Sequence, residues 1–309
     1  MNVLVTGGAG FIGSNIADAY IAAGHSVVIV DDLSSGTIEN INPKAKFYQL
    51  NIQSPEIERI FKEQKIQVIN HHAAQMDVRR SVADPRFDAS VNILGMLNTL
   101  ELGVQYGVTK VIFASTGGAI YGEQDYFPAD EQHPLCPLSP YGITKLATEK
   151  YLFYYQAVHG IQYVILRYAN VYGPRQNPHG EAGVVAIFAS KMLDDQQPII
   201  NGDGKQTRDY VFVDDVVQAN IRALSYGSSD TFNIGTGLEN DVNTLYTIIQ
   251  KYTASRYAEK HGPAKIGEQL RSVIDHTKAK KILGWRPTVA LDEGLKRTVE
   301  FFRERKKGS

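Results

Sequence analysis

The stretch Val3-Leu4-Val5-Thr6-Gly7-Gly8-Ala9-Gly10-Phe11-Ile12-Gly13 decides the fold of this 309-residue chain. An apolar, β-favouring run enters a glycine-rich turn and leaves it as a helical pattern. Gly8, Gly10 and Gly13 satisfy GxGxxG, and Gly7, Gly10 and Gly13 satisfy GxxGxxG. Such a turn needs glycine for its tightness, for close approach of backbone to a pyrophosphate, and for close packing of helix on strand. The helix N-terminus offers its N–H groups to phosphate, so no basic side chain is required. None is near, since the first Lys or Arg is Lys44. A second strand, Ser26–Val30, runs into Asp31-Asp32, 18 residues past Gly13. A carboxylate at that place accepts hydrogen bonds from adenine-ribose hydroxyls and repels a 2′-phosphate, which favours NAD over NADP.

Working outward, short apolar strands alternate with helical patterns over residues 1–170. After Asn2–Thr6, Phe11–Ala23 (helix) and Ser26–Val30, strands are expected at Lys46–Leu50, Gln67–Asn70, Lys110–Ala114 and Gln162–Leu166. They are rich in Val, Ile and Phe with little alternation, as in a parallel sheet covered on both faces. The rhythm predicts an α/β fold, a Rossmann-type doubly wound parallel sheet. Beyond residue 170 the pattern loosens. Residues 173–183 read as loop, and 184–197, 241–254 and 291–305 as helices, with short strands at Val211–Phe212 and Thr231–Ile234. The expected organisation is a cofactor domain over 1–170, with return segments near 210–235, and a smaller mixed α/β substrate domain over 171–309.

Composition excludes several classes. There are 32 Lys+Arg against 33 Asp+Glu, a net charge of −1, which argues against a partner held by bulk electrostatics such as nucleic acid or an anionic membrane surface. Cys136 is the only cysteine, so no internal disulfide or multi-cysteine metal site can form. No apolar run reaches the ~18 residues of a membrane span. With no basic n-region at the start, the expectation is a cytoplasmic protein.

Two further patterns carry chemistry. Tyr141 and Lys145 are four residues apart in a helical pattern, on one face and one turn from each other. A phenol titrates near pH 10; acting as a base near neutrality requires a downward shift of roughly three units, which a neighbouring ammonium and an oxidised nicotinamide both promote. Upstream, Lys110–Ala114 ends in Ser115-Thr116-Gly117-Gly118, at the strand end where α/β sheets place their ligands. A hydroxyl there can bond a substrate oxygen. The pair His71-His72 points to opposite faces of a strand and makes a poor joint metal site, so it reads as structural or cofactor-lining.

TGGAGFIG (6–13), STGGAIYG (115–122), YGITK (141–145), LRYANVYGPRQ (166–176), GDGKQTRDYVFVDDVV (202–217) and TKAKKILGWRP (277–287) together resemble the extended short-chain dehydrogenase/reductase family, and within it the UDP-hexose 4-epimerases of the UDP-glucose 4-epimerase type. The resemblance implies that Gly7, Gly10, Phe11, Ile12 and Gly13 hold the NAD pyrophosphate. It gives the adenosine half to Asp31 with Asp32, Ser34, Ser35 and Gly36, and to Asn51 and Ile52, Asn51 standing where the family usually has Asp. Ala73, Ala74 and Gln75 would line the cofactor, with Asn92, Ser115 and Tyr168 nearby. Tyr141 would be the base, Lys145 its electrostatic partner and ribose ligand, and Thr116 the contact to the substrate hydroxyl. Asn170 and Arg208 would grip the UDP diphosphate.

The residues after Thr116 bear on the reaction. Related dehydratases carry Asp-Glu there and related decarboxylases a Glu; here Gly117 and Gly118 cannot titrate, which points to simple epimerisation at C4 through a 4-keto sugar. In a diphosphate-binding segment of the family, Lys265 stands for the usual Arg, with Arg271 as a substitute, and Ser272 aligns with a position whose small size admits N-acetyl groups. UDP-GlcNAc and UDP-GalNAc are therefore expected substrates beside UDP-glucose and UDP-galactose. The alternatives are a UDP-glucuronate 4-epimerase or another nucleotide-sugar-modifying relative, and a non-enzymatic NAD-binding sensor. Finally, five consecutive large residues, Tyr151 to Tyr155, and Val91, Leu94, Leu97 and Leu100 at three-residue spacing offer more apolar surface than one chain buries, which predicts a homodimer on helices 143–158 and 91–104.

Overall fold

The computed structural model describes residues 1–178, 183–264 and 269–307. Its first half holds β1 (Asn2–Thr6), α1 (Phe11–Ala22), β2 (Ser26–Asp31), β3 (Lys46–Gln49), α2 (Glu58–Gln64), β4 (Val68–His71), α3 (Val78–Ala83), α4 (Pro85–Ala89), α5 (Gly95–Gln105), β5 (Lys110–Thr116), α6 (Pro140–His159) and β6 (Gln162–Tyr168). Then follow β7 (Asn170–Tyr172), α7 (Val184–Leu193), β8 (Ile200–Asn201), β9 (Thr207–Phe212), α8 (Val213–Ser225), β10 (Asp230–Ile234), β11 (Glu239–Asp241), α9 (Val242–Thr253), β12 (His261–Gly262), β13 (Arg271–Ser272), α10 (Thr277–Ile282) and α11 (Leu291–Lys307).

Seven strands pair in the order β10-β6-β5-β4-β1-β2-β3, every neighbouring pair parallel. The strand order reverses between β1 and β4, and the crevice at the carboxyl ends of such strands is where these folds bind ligands. One face of the sheet buries Val3, Val5, Ile29, Ile112, Val164 and Leu166 against Ile16 and Tyr20 of α1 and Val216 and Ala223 of α8. The other buries Leu4, Val28, Ile69, Phe113 and Ile165 against Phe61 of α2, Leu100 of α5 and Leu152 of α6. A third core joins α7, α9 and α11 with β9 through Phe188, Tyr246, Val299 and Phe212. A separate four-stranded sheet is formed by β11-β9-β13 with β7 beside β9, and β12 pairs with β8.

The expected strands sit near where the apolar runs place them; β5 and β6 each extend two residues further, to Thr116 and Tyr168, and β9 begins at Thr207, ahead of the expected Val211–Phe212. Some helices differ from expectation. α7 stops at Leu193, short of the helix expected over 184–197. α8 was not expected, although Val213, Val216, Val217 and Leu224 keep helical spacing, because buried Asn220 interrupts the apolar stripe. The helix expected over 91–104 begins with a π-helical turn, Ser90–Leu94, before α5. That extra residue rotates the faces, so Leu94 is 58 % exposed while Leu100 is buried.

Buried charges finish the helices and loops. Lys110, at the start of β5, donates to the carbonyls of Ala223, Leu224 and Tyr226 at the end of α8, where carbonyls lack helical partners and the dipole favours a cation. Asp215, in the first turn of α8, accepts from Thr288 N–H, Thr288 O–H and Val289 N–H and so fastens the segment leading into α11.

Candidate active site and cofactor cradle

The turn between β1 and α1 is closed to side chains on the sides that matter. Gly7 sits at φ +69°, and a Cβ there would stand 2.6 Å from the Ala73 nitrogen, so the turn lies against the end of β4. Gly10 caps α1 with no side-chain hydrogen bond, and no acidic residue occupies the first turn. The N–H groups of Phe11, Ile12 and Gly13 therefore face outward at a helix N-terminus, the arrangement that binds phosphate.

Asp31 ends β2 beside this turn. Its Oδ2 accepts from Ala9 N–H at 2.9 Å and its Oδ1 from Leu33 N–H at 2.8 Å, which fixes the carboxylate at the edge of the cradle; burial raises its pKa, against those two N–H bonds. Asp32 accepts from Ser34 N–H and, at 2.9 Å, from the Asn51 amide. Ser34, Ser35 and Asn51 are exposed, while Ile52 is buried against Gly95. Gly36 packs on Ala9, where a Cβ would come within 2.8 Å of its carbonyl carbon. These residues fit the dinucleotide: a side-chain-free pyrophosphate turn with an anchored carboxylate at the adjacent strand end.

Past β4, Ala73 and Ala74 are half-buried, and Gln75 is held by Asn92, whose Oδ1 accepts from Gln75 N–H at 2.8 Å and whose amide donates to Gln75 O at 3.0 Å. His71 bonds Thr6 Oγ1 at 3.0 Å and stacks on Phe113, whereas His72 bonds the Tyr168 hydroxyl at 3.1 Å. The two imidazoles have separate partners. Among the described residues no group of three or more His, Cys, Asp or Glu is arranged for a metal ion.

Ser139 caps α6, accepting from Gly142 N–H, and Pro140 follows it, so Tyr141 falls in the first turn. A Cβ on Gly142 would stand 2.8 Å from Ala119 O, so this turn presses on the loop after β5. The same loop donates Ala119 N–H to Thr116 Oγ1 at 3.1 Å, leaving the Thr116 proton to be given elsewhere. Thr116 and Tyr141 are thus brought to adjoining turns. One turn further, Lys145 Nζ donates to Ala114 O at 2.8 Å and lies 5.8 Å from the centre of the Tyr141 ring. Burial pulls the Lys145 ammonium down to about 8, with Asp88 and then Glu149 opposing the shift.

Ser115 and Tyr168 turn their hydroxyls inward. Ser115 donates to Glu149 at 2.6 Å, and Tyr168 accepts from Asn220 at 2.8 Å. Glu149 in turn holds Arg167 at 2.6 and 3.0 Å. Glu149, Arg167, Asn220 and Asp88 were not among the expected site residues; the sequence signal for two of them is the helical i,i+4 spacing of Glu149 from Lys145 and of Asp88 from Asn92.

The second sheet gathers the residues assigned to the nucleotide-sugar end. Asn170 on β7 donates to Asp209 O at 3.4 Å, and Arg208 on β9 donates to Thr207 O and Gln269 O. Ser272 lies beside Arg208 in the β13–β9 register and is 3 % exposed. Its neighbour Arg271 points outward, held by Glu239 at 2.6 and 3.0 Å and stacked over Phe127 at 3.8 Å. Lys265 lies outside the described residues.

Comparison with known proteins agrees with this arrangement. Residues 3–235 match the NAD dependent epimerase/dehydratase family. The chain is 47 % identical over 301 residues to a putative UDP-glucose 4-epimerase of Methanocaldococcus jannaschii, covering 97 % of this chain and 98 % of that one. It is similar to a UDP-glucose 4-epimerase of Thermotoga maritima solved with UDP-glucose, with TM-score 0.97 and 50 % identity over 99 % of this chain and 100 % of that one. It is also similar to a Thermus thermophilus UDP-glucose 4-epimerase complexed with NAD, with TM-score 0.93 and 43 % identity over 98 % and 99 % of the two chains. The chain therefore belongs to the NAD dependent epimerase/dehydratase family, as an extended short-chain dehydrogenase/reductase of the UDP-glucose 4-epimerase type.

Proposed function

We propose that this chain inverts C4 of a UDP-hexose, with NAD as cofactor, and that it acts on N-acetylated sugars as well as on UDP-glucose and UDP-galactose. The observation that carries the reaction type is the pair of glycines after Thr116. A Cβ on Gly117 would stand 2.7 Å from Ile274 Cδ1, and Ile274 is buried, so that position has no room for an added acid or base. A proton donor for dehydration is missing where related dehydratases carry one.

Tyr141 takes the proton of the C4 hydroxyl, and Thr116 bonds the same oxygen. Lys145 holds the phenolate by charge. NAD held on the glycine turn would supply a hydride acceptor and donor for C4. Between those events the keto sugar must present its other face, so the chain grips the UDP end and not the ring; Asn170 and Arg208 serve that grip. Tyr141 then gives the proton back to the oxygen at C4. The cofactor is regenerated each cycle and has no reason to leave.

Strand alternation supports Ser272 as the small pocket-wall residue, because its side chain is buried while Arg271 faces out. Arg271 is committed to Glu239, which leaves Arg208 the better-placed cation for the diphosphate. The test is turnover of UDP-galactose, UDP-GlcNAc and UDP-glucuronate with no NAD added. Turnover of the first two supports the reading. Turnover of UDP-glucuronate alone, or of none, assigns the chain to one of the other readings, and turnover of UDP-galactose without UDP-GlcNAc removes Ser272 as the determinant.

We further propose a homodimer on α6 and the π turn–α5 segment. Ile143, Phe153, Tyr154 and Val158 of α6 are exposed, as are Leu94 and Val104, far more apolar side chains than a free helix pair usually shows water. Sedimentation at micromolar concentration should give twice the 34.2 kDa chain mass, and Phe153→Glu should halve it; a 34.2 kDa species from the unaltered protein would refute the dimer. A cytoplasmic location suits the exposed free thiol of Cys136. No helix of the described residues is long and apolar enough to cross a membrane.

A further inference from the structure

Four ionisable side chains are buried around the first turns of α6: Asp88 at 0 % exposure, Lys145 at 3 %, Arg167 at 4 % and Glu149 at 6 %. Two of them cancel in direct contact, since Glu149 and Arg167 form a two-pronged ion pair. The other two are each solvated by neutral groups. Lys145 donates to the Ala114 carbonyl and lies 4.8 Å from the Phe113 ring centre. Asp88 accepts from the Gln75 amide at 2.9 Å, the Asn92 amide at 3.1 Å and the Thr144 hydroxyl at 2.9 Å. A buried charge without a counter-charge is costly, and neutral dipoles recover only part of that cost.

The fold places Asp88 with some care. Asp84 caps α4 by accepting from Phe87 N–H, which sets Asp88 one turn in. The π turn that follows directs Asn92 inward, so that its amide reaches both Asp88 and, at 3.1 Å, Thr144 Oγ1. Thr144 immediately precedes Lys145, and its hydroxyl also lies 3.0 Å from Tyr141 O. Asp88 is therefore tied to the turn of α6 that carries Tyr141 and Lys145, and to the cofactor loop through Gln75.

We infer that Asp88 is the counter-charge of Lys145, a positioning residue that acts through space across Thr144 and Asn92 to keep the buried ammonium protonated. The catalytic half of this inference rests on the roles given above to Tyr141 and Lys145; the electrostatic half does not. Burial is the main influence on Lys145, bringing it to about 8, and Asp88 is the larger of the two carboxylate influences opposing it, ahead of Glu149. The other titratable groups facing Lys145 are Tyr141 on its own helix, His71 at the end of β4 and His72 just past it. Burial first, and then the Lys145 charge, drives both imidazoles to about 3, so they are neutral and offer no compensation. Arg167 is taken by Glu149. Asp88 is left as the net negative charge.

A double-mutant cycle on the full chain tests this, read by thermal and urea unfolding at pH 7. Asp88→Asn strands the ammonium and Lys145→Met strands the carboxylate, so each single change destabilises. The double variant should unfold at a higher temperature than Lys145→Met alone, because both charges are gone. Additive losses would overturn the inference. Relative to the parent, Lys145→Met should also lose less stability at pH 5 than at pH 8, the sign expected when a buried carboxylate has lost its counter-charge. An equal loss at both pH values would overturn the inference too, and this arm holds even if Asp88→Asn fails to fold. In the holoenzyme, Asp88→Asn should move the alkaline limb of kcat down by about one pH unit, as expected for loss of a nearby opposite charge. Thr144→Val removes the hydroxyl's hydrogen bonds to Asp88, Asn92 and Tyr141 O but keeps the charge and should leave that limb in place; equal movement in both variants would reduce Asp88 to a structural role. No turnover in any variant or in the parent would count against the proposed reaction, while leaving the stability cycle to decide the charge pairing.

Discussion

Tyr141→Phe should lower epimerase turnover by a factor of about 10²–10⁴, the usual worth of a positioned general acid–base, and leave the fold and the bound NAD unchanged. The phenyl ring stays, so the packing of the first turn of α6 on the loop after β5 stays as well. That packing is held by Gly142 against Ala119 and by the Ser139 cap. Lys145 keeps its bond to Ala114 O. Only the atom that accepts and returns the C4 proton is lost. The measurement is conversion of UDP-galactose to UDP-glucose at saturating substrate, beside a thermal melt and the NAD content of the purified protein. An unchanged rate would take Tyr141 out of the mechanism. A fallen melting temperature would mean that the hydroxyl serves packing instead.

Lys145→Met should be as damaging to turnover and more damaging to the protein. Tyr141→Phe removes a proton carrier at a half-buried position; Lys145→Met removes a buried cation that Asp88 has to answer. The two variants separate chemistry from electrostatics, and comparing their pH–stability profiles distinguishes a residue that reacts from one that sets the field in which reaction occurs.

Much of this was legible along the chain, and the parts that were not share a physical cause. β1, β2 and β5 contain continuous apolar runs because both faces of a parallel sheet are covered, and that pattern is local. The glycine turn is legible for the same reason: its function is carried by backbone, and glycine marks where backbone must approach something closely. β8, β12 and β13 are two residues long and β7 and β11 three, so no periodicity can reveal them. Their pairing is decided by where α7, α9 and α11 pack. The inward turn of Ser115 and Tyr168 is likewise a property of neighbours far along the chain, Glu149 and Asn220, that no spacing rule connects. Asp88 is the clearest case. Its sequence context is that of an ordinary first-turn acidic residue, and its burial beside α6 becomes visible only once the π turn has brought α4, Asn92 and α6 together.

Gly13→Ala should abolish NAD retention and cost the fold about 1–3 kcal/mol, the range for an overpacked core position. A Cβ at Gly13 would land on the Gly7 carbonyl oxygen, with the Gly7 carbonyl carbon at 2.9 Å and Gly8 Cα at 3.1 Å. All three are backbone atoms of the turn itself, so no side chain can swing aside. Either α1 slides away from β1 or the turn opens. Both displace the N–H groups at 11–13 that the pyrophosphate needs, and both strain the contact of Gly7 with Ala73. Gly24→Ala supplies the contrast. Gly24 follows α1 at φ +83° with nothing within 4 Å of its added Cβ, so the penalty there is conformational only. That variant should lose about 1 kcal/mol, the cost of forcing a non-glycine residue into the left-handed region, and keep its cofactor. NAD released from the purified proteins by denaturation, assayed enzymatically, reads the difference directly. If Gly13→Ala retained NAD in parental amount, the pyrophosphate would not sit on this turn, and the assignment of Gly7, Gly10 and Gly13 as the cofactor cradle would fall with it.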